Sequence, residues 1–425
     1  MKNSNHLVSG RIRNSVCISR TISACAASVT LLIYTAMSAL VLLGQVPDAA
    51  KKLNRDFYIS ADGSDSNLGT EAAPFLSFKK ADSVVQPGDT VYVEPGIYVG
   101  YTALNTIRIA TSGSESARIR WIAKTKWAAR IVGHVNPAND LGWGVVISGD
   151  YVDLVGFDVT SDANMGVWVL GTHVRVISNH VHDIPGQRGC TSYGASGVEQ
   201  GNYAGGYMEV IANVVHDVGA GGPGSCNKYH GIYLAASFDT AVNNISYHNA
   251  SKGIGTWHAA NHNTISNNTL FDNDVGILVG AGDSPCHQTC SADYVVVSNN
   301  IMYHNKTIGF WQYSKVGPHN IYTNNLAFAN RVRNVLLQGN CGNGAFAACN
   351  SFDKAVFADP QFMNSTGSFF TGDYHLKEVS PALKAGTLIG APPTDFDGRS
   401  RAEAFAPDLG AYQSEEQLAK KKNTN

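Results

Sequence analysis

Short apolar runs that follow a glycine recur along the middle of the 425-residue chain. Six such pairs are spaced at intervals of 31, 34, 22, 23 and 33 residues: Gly166-Val167, Gly197-Val198, Gly231-Ile232, Gly253-Ile254, Gly276-Ile277 and Gly309-Phe310. The segments between them, such as "VRVIS" and "YVVVSNN", have a β-type composition without the 3.6-residue period of an amphipathic helix. A strand-rich unit repeated at a period in the twenties predicts a solenoid, here a parallel β-helix of short strands.

An asparagine column runs in step with this repeat, and histidines accompany it. The asparagines are Asn179, Asn213, Asn244, Asn268, Asn300 and Asn325, and the histidines three or four residues after four of them are His182, His216, His248 and His304. At one corner of successive coils, amide groups can hydrogen-bond along the solenoid axis and satisfy the turn backbone. We therefore interpret both columns as structural ladders, with the histidines stacking as well.

Alternation along each strand predicts which side chains face solvent. If the apolar residue after each glycine points inward, the next residue points outward, and so does the residue two positions further on. The first outward row then reads Trp168, Glu199, Tyr233, Gly255, Leu278 and Trp311, and the second includes Trp257 and Tyr313. Because exposed aromatic rings suit the apolar faces of successive sugars, we predict that Trp168, Trp257 and Trp311 bind a glycan. The alternative is that these rings pack beneath inserted loops as a small satellite core.

Insertions and cysteines mark the side of the solenoid that carries loops. Since a bare coil needs 22 or 23 residues, the longer intervals contain insertions, at residues 185–197, 219–231 and 281–294. The first two insertions each hold one cysteine, so we predict a Cys190–Cys226 disulfide between adjacent coils. The close pairs Cys286 with Cys290 and Cys341 with Cys349 also indicate disulfides in an exported chain, because the spacings lack the paired CxxC pattern of zinc sites.

The N-terminus differs in kind from the repeat. Four basic residues precede or flank an apolar run within residues 1–50, which is typical of a signal peptide or a retained signal anchor. We therefore expect a secreted, periplasmic or cell-surface protein, in contact with a membrane only through this segment if it is uncleaved. Residues 1–50 carry a net charge of +3 out of a total of −2, so the exported part carries −5. A mildly acidic body without a basic stripe argues against nucleic acid as a partner.

Both ends of the exported chain resemble a known superfamily. The run "FYISADGSDSNLGTEAAPFLSFKKADSVVQPGDTVYVEPGIY" (57–98), and later "VFADPQF" and "PDLGAYQ", are similar to the ends of exported bacterial right-handed parallel β-helix proteins of the pectate-lyase-like superfamily. The resemblance implies an all-β chain, a single-stranded right-handed parallel β-helix with N- and C-terminal caps and inserted loops. We expect the β-helix and N-terminal cap at 51–360 and the C-terminal cap and tail at 361–425. The superfamily implies polysaccharide-active proteins, mostly lyases on uronic-acid polymers, together with glycoside hydrolases and uronate epimerases.

Polar side chains from the loops and strands converge on the aromatic row. They are Arg188, Glu199, Lys228, His230, Tyr233 and His258. β-Elimination from a uronate needs a cation for the ring carboxylate, a base for the adjacent proton and an acid for the departing oxygen. In this hypothesis Arg188 neutralises, Lys228 or His230 is the base, and Tyr233 donates the proton. Glu199 completes the catalytic group, and His258 joins Arg188 in binding the substrate.

Other functions remain open at this point. Hydrolysis would need a second carboxylate beside Glu199, for which Asp239, Asp274 and Asp283 are candidates. The sequence requires no cofactor, although calcium bound by Asp283 or Asp293 could replace Arg188 as the neutralising cation. A uronate epimerase and a non-catalytic polysaccharide-binding surface protein are further alternatives. The main prediction is a monomeric polysaccharide lyase acting on an acidic glycan.

Overall fold

The computed structural model describes residues 54–100, 106–136, 141–186, 190, 194–219, 226–282, 291–339, 341, 349–401 and 406–414. Within these ranges almost every regular element is a short parallel strand, and the strands stack into three sheets as a right-handed β-helix. Each full coil passes through sheet A, sheet C and sheet B in turn. The predicted fold class is confirmed.

Sheet A contains the strands Asp56–Ile59, Thr90–Val93, Ile119–Ala123, Val152–Val155, Arg175–Ile177, Glu209–Ile211, Thr240–Val242, Thr264–Ser266, Val296–Ser298, Ile321–Thr323 and Phe352–Asp353. Sheet C contains Gly96–Val99, Ala129–Gly133, Asp158–Ser161, His180–Ile184, Val214–Val218, Ile245–Tyr247, Thr269–Phe271, Ile301–Tyr303 and Leu326–Phe328. Sheet B contains Ile107–Ile109, Trp143–Ile147, Met165–Val169, Ala195–Gln200, Tyr229–Leu234, Lys252–Thr256, Val275–Ala281, Ile308–Ser314 and Arg333–Leu337.

The apolar residue of each Gly–apolar pair faces the interior, as the repeat predicts. Each of these side chains pairs in register with its equivalent on the next coil and is fully buried: Val167, Val198, Ile232, Ile254, Ile277 and Phe310. Complete burial of a Val, Ile or Phe side chain contributes about 1.5–3 kcal/mol, so this column is a continuous source of stability along the solenoid.

The N-terminal end is covered by the helix Phe78–Asp82. Ser77 caps this helix, because its hydroxyl accepts a hydrogen bond from the backbone N–H of Lys80 at 3.1 Å. Phe78 stacks on Trp121 with 5.4 Å between ring centroids, and both rings are buried. The helix thus closes the apolar interior at this end. No helix among the described residues is long and apolar enough to cross a membrane.

The asparagine column is a hydrogen-bonded ladder, as predicted. In each step the backbone N–H and the side-chain amide of one asparagine donate to the Oδ1 atom of the next, at 2.8–3.1 Å: Asn179 to Asn213, Asn244, Asn268, Asn300 and Asn325. A second ladder through Asn249, Asn273, Asn305 and Asn330 was not predicted. Both ladders provide hydrogen-bond partners for buried backbone N–H groups of the turns.

The predicted histidine stack is confirmed for two of its four members. His182 and His216 are in register on sheet C and stack with 5.3 Å between ring centroids. The stack then continues through Tyr247 and not through a histidine. His248 and His304 lie one position later, at turn residues with φ of 55° and 57°. A spacing of four residues instead of three therefore moves these two imidazoles out of the stack.

The C-terminal segment packs along the side of the solenoid, and the division into a β-helix at 51–360 and a C-terminal cap and tail at 361–425 stays a prediction. It begins with the antiparallel strands Phe362–Asn364 and Asp373–Leu376. Its buried side chains form one cluster with residues from several consecutive coils, and examples are Tyr374 and Leu409 against Tyr247 and Phe271. The physical reason is that sheet C points an aromatic column outward, and this segment removes that column from water.

Candidate active site on the outer face of sheet B

The first outward row exists as predicted. Strand pairing places Trp168, Glu199, Tyr233, Gly255, Leu278 and Trp311 in register on six consecutive strands of sheet B. We call this set outer column 1. Neighbouring strands lie about 4.8 Å apart, so Glu199, Tyr233 and the backbone of Gly255 fall within roughly 10 Å of one another.

The residues directly before the glycines also face outward, and the sequence analysis did not predict this column. Outer column 2 consists of Met165, Ser196, His230, Lys252, Val275 and Ile308, again in register. A Cβ atom placed on Gly197 would contact the inward side chains of Val215 and Val218, although the next residue, Val198, also points inward. The strand therefore bends at the glycine, and the residue before it faces outward together with outer column 1.

Glu199 is the carboxylate at the centre of this face. Its side chain is 5% exposed and accepts a hydrogen bond from the Ser196 hydroxyl at 2.7 Å. Burial raises the pKa of Glu199 to about 7, because desolvation disfavours the ionised form more than the Ser196 bond favours it. Near neutral pH this group is therefore present in both its protonated and its ionised form.

His230 and Tyr233 form the next layer of the site. Their rings stack with 4.1 Å between centroids and 7° between planes. A Cβ atom on Gly255 would lie 2.6 Å from His230 Nδ1, so the glycine leaves the space that the imidazole occupies. Burial, followed by the charges of Lys252 and His258, lowers the pKa of His230 well below its ordinary value. The imidazole is therefore neutral over the physiological range.

Lys252 is the candidate site residue that sequence reasoning missed. It lies in register with His230, is 6% exposed, and its ammonium group donates to the backbone carbonyl of Asn227. Burial lowers the pKa of Lys252 to about 8, and the charge of Asp274 opposes this shift only in part. The one available signal was weak: Lys252 is the only side chain ordinarily charged at neutral pH at the position before each glycine, where the others are Met, Ser, His, Val and Ile.

Aromatic and apolar residues border the polar centre on the N-terminal side. Trp168 stacks on Trp143 of the preceding strand, with 5.1 Å between ring centroids and 7° between planes. A Cβ atom on Gly201 would lie only 1.8 Å from Trp168 Nε1, so this glycine permits the indole to lie against the backbone. Both indoles are partly exposed, which confirms that Trp168 lies on the exterior of the coil.

A larger apolar platform borders the polar centre on the C-terminal side. Val275, Leu278 and Ile308 form an outward cluster against which Trp257, Trp311 and Leu336 pack. Trp257 follows the strand Lys252–Thr256, and its ring lies over Gly280 and Gly282. Because Gly280 has no side chain, the ring of Trp257 reaches that of Tyr313 two coils away, at 6.1 Å between centroids. The second predicted outward pair is therefore brought together.

The remaining predicted residues are placed differently. Lys228 is exposed and lies just before the strand Tyr229–Leu234, at the edge of the polar centre. His258 stacks on Tyr203 at 4.0 Å and lies 6.0 Å from the ring of Tyr233, so it belongs to the site. Arg188 lies outside the described residues, and its role stays a prediction.

Asp274, one of the acidic candidates, directly precedes Val275 of outer column 2, and its charge acts on Lys252. The other described candidates make different contacts. Asp239 is fully buried at a turn, where its Oδ1 atom accepts the backbone N–H of Met208 at 2.9 Å. Asp293 binds His319 at 2.8 Å on the sheet A side. Asp283 lies outside the described residues. Within outer columns 1 and 2, Glu199 is the only carboxylate.

Two of the three predicted disulfides are present among the described residues. Cys190 and Cys226 are bonded with 5.4 Å between their Cα atoms, as predicted for the two adjacent loops. Cys341 and Cys349 form the second disulfide. Cys286 and Cys290 lie outside the described residues. Bonded cysteines are consistent with an exported protein.

Comparison with known proteins agrees with this architecture. Pectate lyase L of Dickeya dadantii (strain 3937) is 30% identical over 125 residues, which span 28% of this chain and 29% of that relative. The crystal structure of pectate lyase Pel9A is 18% identical, with a TM-score of 0.53, covering 85% of this chain and 96% of that one. A rhamnogalacturonan lyase is 15% identical, with a TM-score of 0.54, covering 86% of this chain and 98% of that one. At these identities the two structures show a common fold.

A protein-family model matches a longer part of the sequence than the pectate lyase L relative does. Residues 57–343, which are more than half of the chain, match the Pel9A-like right-handed β-helix region. This range contains outer columns 1 and 2 in full and both asparagine ladders. The resemblance inferred from the chain ends is thereby confirmed. The protein belongs to the Pel9A-like right-handed β-helix family.

Proposed function

We propose that this protein is an exported polysaccharide lyase that cleaves a uronic-acid-containing glycan by β-elimination, with Lys252 as the base. The observation that carries the proposal is a buried lysine with a pKa of about 8 at the centre of an outer face bordered by aromatic rings. The named lyase relatives support the same class of reaction.

Lys252 suits proton abstraction for two reasons. An ordinary lysine is protonated at neutral pH and cannot accept a proton, whereas a pKa of about 8 leaves a useful neutral fraction in mildly alkaline solution. A base whose pKa lies near the working pH contributes about 10²–10⁴-fold to the rate. This assignment replaces Lys228, which is exposed at the edge of the polar centre, whereas Lys252 is buried at its centre.

β-Elimination also needs an acid for the departing oxygen and a cation for the ring carboxylate, and we assign both roles to neighbours of Lys252. Tyr233, on the strand before it, would donate its hydroxyl proton to the departing glycosidic oxygen. The uronate carboxylate would be held at the edge of the site where Lys228 lies, and Arg188 keeps its predicted role as a second cation there. His230, neutral and stacked on Tyr233, would position that phenol.

The aromatic rings on both sides of the polar centre indicate a polymeric substrate. Trp143 and Trp168 lie on one side, and Trp257 and Trp311 lie on the other. Sugars bound at these rings would hold the scissile bond over Lys252 and Tyr233. The substrate class is therefore an extended acidic chain and not a monosaccharide.

A glycoside hydrolase is the second candidate, and Glu199 favours it. A carboxyl group with a pKa of about 7 is suited to protonate a leaving group near neutral pH. Hydrolysis needs a second carboxylate about 5–9.5 Å away, however, and outer columns 1 and 2 supply none. We therefore place lyase first.

A substrate screen separates these functions. Purified protein is incubated with pectate, rhamnogalacturonan, alginate and glycosaminoglycan chains, and ultraviolet absorbance of the unsaturated product is followed together with new reducing ends. A lyase generates both signals in equal amounts. Reducing ends without ultraviolet absorbance would replace this proposal with hydrolysis. Changed uronate stereochemistry without cleavage would indicate an epimerase, and binding alone would indicate a non-catalytic glycan-binding protein.

A further inference from the structure

Three histidines meet on the outer face of sheet C, away from the sheet B site. His180 and His182 lie on one strand and His216 on the next, and one ring nitrogen of each lies within 4.8 Å of the others. The Nε2 atoms of His180 and His216 are 2.8 Å apart. The rings of His180 and His182 stack with 3.9 Å between centroids.

Each imidazole is oriented by a carboxylate at its other nitrogen. The Nδ1 atom of His216 lies 2.6 Å from Asp217, and that of His182 lies 2.7 Å from Asp183. The Nδ1 atom of His180 lies 3.1 Å from Asp158. At His180 and His216 the carboxylate at Nδ1 fixes the tautomer that leaves Nε2 as an electron-pair donor, which is typical of histidines that bind transition metals. The Nε2 atom of His182 lies 2.7 Å from Asp158, so this third imidazole would exchange that bond for the ion.

The local charge and the access also suit a cation. Three carboxylates, Asp158, Asp183 and Asp217, contact the imidazoles. The positive charge of Arg130 offsets that of Asp158, to which it is bound at 2.5 Å. His180, His182 and His216 are 9%, 8% and 8% exposed, so they are shielded without being sealed. A surface depression nearby is lined by Asp183 and Asp217, the carboxylates that contact His182 and His216.

The geometry points to a site for a divalent first-row transition-metal ion, which we propose is held by His180, His182 and His216. At the usual metal–imidazole distance of about 2.0–2.1 Å, two nitrogens 2.8 Å apart subtend roughly a right angle at the ion. Imidazole nitrogens select zinc, copper or nickel over calcium and magnesium, which prefer oxygen ligands. Because the ligands come from two consecutive coils, the ion would tie those coils together.

This ion would also strengthen the attachment of the C-terminal segment. Phe370 of that segment contacts the ring of His180 edge-on, at 4.8 Å between centroids. Trp127 contacts the same imidazole at 5.4 Å. Fixing the histidine rings would fix the surface on which Phe370 packs, so we expect metal binding to raise the thermal stability. The sheet B site takes no part in this proposal.

The test uses untagged full-length protein freed of metal by chelation. Isothermal titration with Zn²⁺ and elemental analysis after gel filtration should give one ion per chain, and thermal unfolding should shift upward with Zn²⁺ but not with Ca²⁺. In the H180A/H216A variant, binding should weaken by at least about 100-fold and the thermal shift should disappear. Equal zinc binding by this variant and the native protein, or no binding by either, would overturn the proposal.

Two further variants keep the test independent of folding. D217N retains all three imidazoles but loses the partner of His216, and its zinc affinity should fall by about 10–100-fold. H304A is the matched control, because exposed His304 has the same pairing with a carboxylate, Asp272, at 2.7 Å. The affinity of H304A should equal that of the native protein. A loss in H304A as large as that in D217N would assign the binding to dispersed surface histidines and refute the site.

Discussion

Lys252 lies in register with His230 one coil earlier, so a lysine and a histidine are direct neighbours on the outer face of sheet B. Both are nearly buried, and the positive charge of one disfavours protonation of the other. A solenoid places such side chains together although they are distant in sequence. The consequences for activity and stability can be measured separately.

Replacing Lys252 with methionine should abolish activity and stabilise the fold. The reaction should slow by about 10²–10⁴-fold, because the base is lost. The folded-state pKa of about 8 lies below the ordinary 10.5, so burial of the ammonium group costs up to about 3 kcal/mol at pH 7. The K252M variant should gain up to that amount in free energy of unfolding at pH 7, and the gain should vanish as pH approaches 10.5. Denaturant titrations at both pH values measure this, with K306M at an exposed lysine as the control.

The pH dependence of kcat/KM should report two groups. If Lys252 is the base, activity should rise through about pH 8 as it loses its proton. Ionisation of Glu199 at about pH 7 places a negative charge beside an anionic substrate and opposes that rise. The E199Q variant should therefore show a single rising limb and exceed the native protein at pH 9. If a limb near pH 8 were absent from both proteins, Lys252 would not be the base.

The stability of E199Q should depend on pH in the sense opposite to that of K252M. The folded-state pKa of Glu199 is raised from 4.5 to about 7, so the native protein loses stability as pH rises from 4.5 through 7. E199Q should match the native protein below pH 4.5 and exceed it by up to about 3 kcal/mol at pH 8. Thermal unfolding across this range measures the difference. A constant difference at all pH values would mean that Glu199 is not buried as an acid.

Replacing each of two glycines by alanine should distinguish an effect on kcat from an effect on KM. In G255A, the new methyl group would displace the His230 ring, so kcat should fall by roughly tenfold while KM changes little. In G201A, the methyl group would displace Trp168, so KM should rise while kcat is kept. Each variant is the control for the other. Identical losses in both would indicate general damage to sheet B instead of two local effects.

Removal of the Trp257 ring should weaken polymer binding. W257A loses the indole that lies over Gly280 and meets Tyr313, so KM for a long substrate should rise by about 3–10-fold with kcat kept. F357A removes a ring that is 57% exposed and lies outside this platform, and it should leave KM unchanged. Steady-state kinetics with long and short chains check this. An unchanged KM in W257A would mean that the apolar platform is a satellite core and does not bind substrate.

The sequence by itself determined the solenoid, its inward column and outer column 1, because these depend on a strict repeat with alternation along each strand. Asn179 and Asn268 were assigned to a ladder correctly, since one amide per coil can bond only to its neighbour. The Cys190–Cys226 bond followed from equal placement in two adjacent insertions.

Only the tertiary structure decided which side chains meet at the candidate site. Lys252 reads as an ordinary solvated lysine in a linear chain, and its altered pKa arises from burial beside His230, which is 22 residues away. The bend at each glycine, which turns outer column 2 outward, has no signature in simple alternation. The contact between the ring nitrogens of His180 and His216 also has no sequence signature, because it depends on the stacking of coils and on the carboxylates that orient the rings. Local pattern specifies the scaffold, whereas desolvation and side-chain orientation depend on neighbours that are distant in sequence.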